Sequence, residues 1–217
     1  LMDQHAVLAT IDFANKFEGE LTYVALGRLT NLALAISIDP SLVFKIKEVV
    51  VMGGAINVPG KISPAASANL YGDVHGASVV YRSGMNLTQI GLDVCNEVEI
   101  SPDKQNEVWE LKSSVSNFLE KIVPVHRNAY QTQQIGTKIP GAARFNDMPA
   151  IGYTIDPTLF ECQTIRIHFE TLGEFTKGQT VPDPKHFVED AQNVNVAMKV
   201  NSDNLVKLWL DGIKSYS

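Results

Sequence analysis

No stretch of this sequence approaches the ~20 consecutive apolar residues that a membrane-spanning helix requires, so nothing in it reads as a membrane protein. Cysteine is scarce. The two present, Cys95 and Cys162, lie far apart, with neither metal-ligand spacing nor a disulfide framework, and read as buried small residues. Basic charge is also thin: 18 Lys and Arg stand against 24 Asp and Glu, for a net charge of −6, and no dense Lys/Arg stripe occurs. A nucleic-acid partner needs a basic face to neutralise phosphates, so this class is excluded. A glycine-rich phosphate loop of the G-x-G-x-x-G type is missing, which weakens any reading as a nucleotide-binding domain. A secretory leader pattern is missing too, and a cytoplasmic location is the expectation.

What remains is ordinary globular composition, 45% hydrophobic and 19% charged, in a length that suits one domain over residues 1–217. Val7, Ile11 and Ala14 recur at helical spacing and predict an amphipathic helix. Residues 21–26 read as a short strand, and 31–38 as a helix that must stop before Asp39-Pro40. Four consecutive apolar residues, Val49 to Met52, suit a strand buried on both faces. A loop follows over 57–69, then a helix over 73–81 and a strand over 87–94. Ser101-Pro102-Asp103 is a helix start, with a capping hydroxyl, proline at the first position and an acid near the positive end. The stripe Val108, Leu111, Val115, Phe118 and Ile122 carries that helix on. Residues 148–155 predict a helix closed by Asp156-Pro157, 164–170 and 194–200 predict strands, and Leu205, Leu208, Trp209 and Ile213 predict a last amphipathic helix. Helices alternating with short apolar strands give an α/β fold with a mainly parallel sheet, whose sites form at the carboxyl ends of strands.

Motifs take over where periodicity stops. Leu26-Gly27-Arg28-Leu29-Thr30-Asn31-Leu32-Ala33 resembles the strand–turn–helix segment L-G-P-L-T-N-I-A of the nucleoside hydrolases. The likeness continues in register through Ile38-Asp39-Pro40, the run from Ile46 to Ala55 that includes Met52-Gly53-Gly54, and Gly91-Leu92-Asp93-Val94. Asn146-Asp147 with Ala150, Tyr153 and Ile155-Asp156-Pro157 is similar to the family's H-D-P…A…Y…I-D-P segment. Gly178-Gln179-Thr180-Val181-Pro182-Asp183 is similar to its G-M-T-V-x-D tail. The shared order and spacing of these pieces carry the resemblance, from about His5 to the C-terminal helix.

The resemblance implies a Rossmann-like sheet flanked by helices, and hydrolysis of the N-glycosidic bond of ribonucleosides to ribose and free base. It implies Ca²⁺, a hard cation that takes oxygen ligands and lowers the pKa of a bound water. Asp147 matches the family's distal calcium-ligand aspartate; from local pattern alone it reads as a helix cap. The Leu26 backbone carbonyl matches a second ligand position. Asn69 matches a ribose-binding asparagine, with a turn or cap as its alternative. Met52 matches a ribose-lining residue and serves equally as core filler. The resemblance further implies a homo-oligomer, dimer or tetramer. Asp93 and Asp73 read as structural, and the five histidines as surface or structurally satisfied.

The departures are as specific as the matches. The family's D-x-D-x-x-x-D-D motif, which supplies most calcium ligands and the catalytic base, does not occur in the sequence, so the N-terminal portion of the family fold is expected to lie outside it. Asn146 stands at a frequent histidine position and cannot give up a proton at neutral pH. Lys61 and Ser67 fall at substrate-binding positions where the family commonly has asparagine and glutamate. A lysine there opposes a cation and the developing positive charge of the sugar. These substitutions predict little activity from this chain alone, and they keep a second reading open: a non-catalytic binding or interaction protein on the same scaffold.

Overall fold

The computed structural model describes residues 3–132, 137–189 and 191–216. The chain divides into two compact units, Leu1–Asp93 with Cys162–Met198, and Val94–Glu161 with Lys199–Ser217.

The first unit opens with α1 (Ala6–Lys16), β1 (Thr22–Ala25), α2 (Thr30–Ile38), α3 (Leu42–Lys45) and β2 (Glu48–Met52). It continues with α4 (Ala68–Tyr71), α5 (Val74–Tyr81) and β3 (Leu87–Ile90), and later holds most of β4 (Phe160–Phe169), β5 (Thr180–Pro182) and most of β6 (Gln192–Val200). The strands lie in the order β1-β2-β3-β6-β4-β5. As the alternation of helices and strands requires, β1 pairs parallel with β2 (Tyr23 opposite Val49), β2 with β3 (Val50 opposite Thr88), and β3 with β6 (Thr88 opposite Asn195). The closing pair, β4 with β5, is antiparallel, so the sheet is mixed.

Val49, Val50 and Val51 have no exposed surface, as a continuous apolar run buried on both faces demands. Val49 and Val51 join a cluster with Leu32, Ala35, Val80, Tyr81 and Val196. Each such aliphatic side chain contributes about 1.5–3 kcal/mol when fully buried. Helix α2 stops at Asp39, whose N–H still reaches Ala35 O at 2.8 Å and whose carboxylate turns the chain by accepting the Ser41 N–H at 3.0 Å. Asp73 caps α5 through the Gly76 N–H at 2.9 Å.

The second unit holds the remainder of α6 (Leu92–Cys95), then α7 (Pro102–Trp109), α8 (Ser114–Thr132), α9 (Met148–Ile155), a 3₁₀ turn (Pro157–Leu159) and α10 (Ser202–Lys214). A bridge between Ile100 and Ala143 ties its loops. Arg144 and Glu99 form an ion pair at 2.5 Å with side chains only 5% and 4% exposed. Such a pair must be kept whole, because removing one partner strands a buried charge.

Two expectations are corrected, and one strand was missed. The strand foreseen over 87–94 ends at Ile90, because the Leu92 N–H turns back to Gly54 O (2.9 Å) and α6 begins there. The helix foreseen from 101 through 122 is two helices. Lys112 takes a positive φ of 52°, and the Ser113 hydroxyl accepts the Ser116 N–H at 3.1 Å, restarting the chain as α8. Strand β5 went unforeseen, being three residues long and ending in proline. Among the described residues, no helix is long and apolar enough to cross a membrane.

Candidate functional site

At the carboxyl ends of β1 and β2 stand three residues singled out from the sequence: Leu26 just after β1, Met52 at the end of β2, and Asn69 in α4 beyond it. The structure brings them together. Asn69, half-buried in the short helix α4, directs its Nδ2 to Leu26 O at 3.1 Å, Met52 O at 3.0 Å and Met52 Sδ at 3.1 Å. Both carbonyl oxygens can only accept, so the amide nitrogen must face them, and Oδ1 is the atom the side chain offers elsewhere as an acceptor. Asn69 thus cross-links the carboxyl ends of neighbouring strands β1 and β2, where ligands of open α/β sheets bind. Met52 is 4% exposed and Leu26 is exposed, so the cluster has a packed floor and an open rim.

The loop between β2 and α4 doubles back on itself. Lys61 N–H reaches Ala66 O at 2.8 Å, and Gly60 N–H reaches Pro64 O at 2.9 Å. Lys61 is half-buried in this loop. Ser67 is 2% exposed, and its hydroxyl accepts the Gly54 N–H at 2.9 Å. The Ser67 hydroxyl is therefore engaged with backbone in this chain.

Asp93 and Asp73 have the structural roles expected of them. Asp93, 8% exposed, accepts Ile56 N–H at 2.9 Å and Asn57 N–H at 2.7 Å. Asp73 takes the Thr30 hydroxyl in addition to its cap, linking the start of α2 to the start of α5. The Thr30 hydroxyl, and then the Gly76 N–H, hold its carboxyl below the usual aspartate value. The buried Tyr81 hydroxyl donates to Gln89 Oε1 at 2.8 Å, and burial pushes its pKa up.

Asn146 and Asp147 belong to the second unit. Asp147 occupies the N-cap position of α9 without a side-chain capping bond, and it is exposed. It borders an apolar hollow of about 370 Å³ lined by Met148, Ile151, Leu205 and Trp209. Asn146 O accepts from Cys95 Sγ at 3.3 Å, while Asn146 Oδ1 is buried without a hydrogen-bond partner. The preceding Phe145 sits between His126 and Trp209, with ring centroids at 5.5 and 6.0 Å.

Calcium takes about 6–8 oxygens. Among the described residues, no three His, Cys, Asp or Glu side chains gather as a metal site, and Leu26 O already accepts from Asn69.

Two features escaped the sequence reading. Thr180, fully buried, donates to Ala55 O at 3.2 Å and accepts the Ala55 N–H at 3.3 Å. Gln89, also fully buried, fills the space beside Gly54. Thr180 stands in the 178–183 segment that carries the resemblance, but neither contact had a local signal, since the partners lie on other elements.

A mixed sheet flanked by helices, with Leu26, Met52 and Asn69 gathered at the carboxyl ends of its parallel strands, defines an α/β protein of the class whose sites form at strand ends. The comparisons narrow the class. The model of the inosine-uridine preferring nucleoside hydrolases matches residues 1–207, and this chain belongs to that family. It is 30% identical over 212 residues to the inosine-uridine preferring nucleoside hydrolase of Leishmania major, covering 97% of this chain and 66% of the relative. It is 32% identical to the probable uridine nucleosidase 2 of Arabidopsis thaliana, covering 93% of this chain and 63% of that protein. The chain thus spans just under two thirds of these relatives' length. The purine-preferring ribonucleoside hydrolase from Gardnerella vaginalis superposes with a TM-score of 0.88 at 27% identity, over 99% of this chain and 67% of that one. A plant nucleoside hydrolase gives 0.85 at 26% identity, over 99% and 68%.

Proposed function

We propose that the protein carrying this chain hydrolyses the N-glycosidic bond of ribonucleosides, releasing ribose and the free base. The observation that carries the proposal is the orientation of Asn69. With Nδ2 held by Leu26 O and Met52 O, Oδ1 accepts from a sugar hydroxyl. As the C–N bond lengthens, positive charge develops on the ribose. An amide oxygen and nearby strand-end carbonyls present their negative dipole ends to that charge. The base departs with a proton that Asn146 cannot supply at neutral pH, so the donor must be another group or solvent.

Calcium dependence belongs to the same proposal, with Asp147 as the side-chain ligand that the family pattern assigns. The expectation is that chelation abolishes ribose release and that Asp147→Asn weakens calcium binding measured by calorimetry. Unchanged calcium affinity in the variant would remove Asp147 from the ligand set.

The test of the reaction is a reducing-sugar assay with inosine and uridine, read together with release of hypoxanthine and uracil. Equimolar sugar and base support the proposal; no release of either from both substrates overturns it. One observation favours the second reading, a binding protein without turnover: the Ser67 hydroxyl is engaged with the Gly54 N–H. That reading expects saturable inosine binding with no ribose released.

A further inference from the structure

We infer that Asp93 and Thr180 are positioning residues for the Asn69 site: they hold the turn after β2 by its amide hydrogens and thereby fix where Asn69 points. The inference rests on the proposed ribonucleoside reaction for its kinetic consequence, but its geometry is independent of that reaction.

The turn spans residues 53–57, and all five of its successive N–H groups are bound. Gly53 N–H reaches Ile90 O at 3.0 Å, Gly54 N–H reaches Ser67 Oγ at 2.9 Å, and Ala55 N–H reaches Thr180 Oγ1 at 3.3 Å. Ile56 and Asn57 N–H reach the two oxygens of Asp93 at 2.9 and 2.7 Å. Successive amides after a strand often form a concave anion site. Here the anion is built in, as the Asp93 carboxylate. The glycine pair is therefore not a phosphate cradle but a fixed support.

The turn supports the Asn69 site in two ways. It begins directly after Met52, whose carbonyl receives the Asn69 amide. It also holds Ser67, two residues before Asn69, through the Gly54 bond. Thr180 clamps the same assembly from β5. Gly178, at φ 81°, lies so close that an added Cβ would sit 3.0 Å from Tyr71 Cα and 3.1 Å from Ala66 Cβ, on either side of the segment that bears Asn69. A displacement of the turn moves Met52 O, and the Asn69 amide follows its acceptor. Displacements near 1 Å at a reacting centre cost on the order of a hundredfold in rate.

The test compares Thr180→Val, which keeps the shape and removes both Ala55 bonds, with Thr180→Ser, which keeps the hydroxyl, and with Asp93→Asn. Each is made in the protein carrying this chain. Two readouts are taken: kcat/KM for inosine, and the NMR signals of the Asn69 side-chain amide. Thr180→Val and Asp93→Asn are expected to lower kcat/KM by roughly ten- to a hundredfold and to shift the Asn69 amide signals, while Thr180→Ser restores both. A purely structural role would lower Tm and leave kcat/KM and the amide signals in place, and that result overturns the inference. If the wild-type protein releases no ribose, the reaction fails, and the inference is decided by the amide signals: shifted in Thr180→Val and retained in Thr180→Ser supports it, unmoved in both overturns it.

Discussion

Two turns in the first unit are organised by the same device, a nearly buried aspartate that accepts two successive backbone N–H groups. Asp93 takes Ile56 and Asn57. Asp183 takes Phe187 at 3.0 Å and Val188 at 3.1 Å and faces His168 Nε2 at 3.3 Å. What differs is the cargo. The Asp93 turn leads back to Met52 and Asn69 at the strand ends. The Asp183 turn leads to Phe187, which is 80% exposed, and Arg166 steadies it by donating to Val188 O and Glu189 O, both at 2.9 Å. A buried aspartate in a loop is therefore no sign of catalysis by itself. Its meaning comes from what the fixed backbone presents.

The comparison breaks most readily at Asn69. In Asn69→Asp, a carboxylate would face two carbonyl oxygens that can only accept, so it must turn away and the strand-end link is lost. The expected fall in kcat/KM for inosine is about a hundredfold or more. The matching change in the other turn, Asp183→Asn, is expected to leave kcat/KM unchanged. Equal activity of Asn69→Asp and wild type in steady-state assays would remove the site assignment.

A smaller effect, on stability, is expected at Gly54. Its φ is 87°, and a Cβ there would lie 2.5 Å from the amide of the fully buried Gln89. Gly54→Ala must strain the backbone and displace a side chain held by Tyr81. The expected cost is on the order of 1–3 kcal/mol, read as a lower urea midpoint with an unchanged slope. An unchanged midpoint would mean that the turn is not held as tightly as its five bound amides imply.

How much of this was legible in the sequence follows from the same pair of turns. Asp183 and the Phe187 and Val188 N–H groups that donate to it are four and five residues apart, a separation a local reading can reach. Asp93 and Ile56 are 37 residues apart, and Thr180 and Ala55 are 125 apart, so their pairing exists only once the sheet is formed. The same distinction holds for the fold. The buried run Val49-Val50-Val51 announces a parallel strand through its own composition. The break between α7 and α8 rests on one positive φ at Lys112 within an apolar stripe that keeps helical spacing, and the stripe concealed it. Asn69, Met52 and Leu26 were legible through family register, whereas the direction of the Asn69 amide required its two carbonyl partners. Ser67 was legible as a departure, but its bond to Gly54 was not, because Gly54 lies 13 residues away and the serine carries no local sign of which backbone group it will meet.

The smallest effect expected is on acid stability, and it sharpens what the Asp183 turn is for. The Phe187 N–H leads in holding the Asp183 carboxyl down to about 2, from an ordinary 3.8, with the Val188 N–H and His168 adding to it against the opposing effect of burial. A carboxyl whose folded value is depressed stabilises the fold wherever it is ionised in both states, and loses that contribution as pH falls through its folded value. The Asp183 contribution is therefore complete above about pH 4 and disappears toward pH 2. Asp183→Asn keeps the size but cannot give two N–H groups a carboxylate. The variant should melt at a lower temperature than wild type at pH 6, and the two Tm curves should converge as the pH approaches 2. Parallel curves across that range would show that the two amide bonds, rather than the charge, carry the turn. Asp183 would then be an ordinary cap, and the likeness to Asp93 would be one of shape alone.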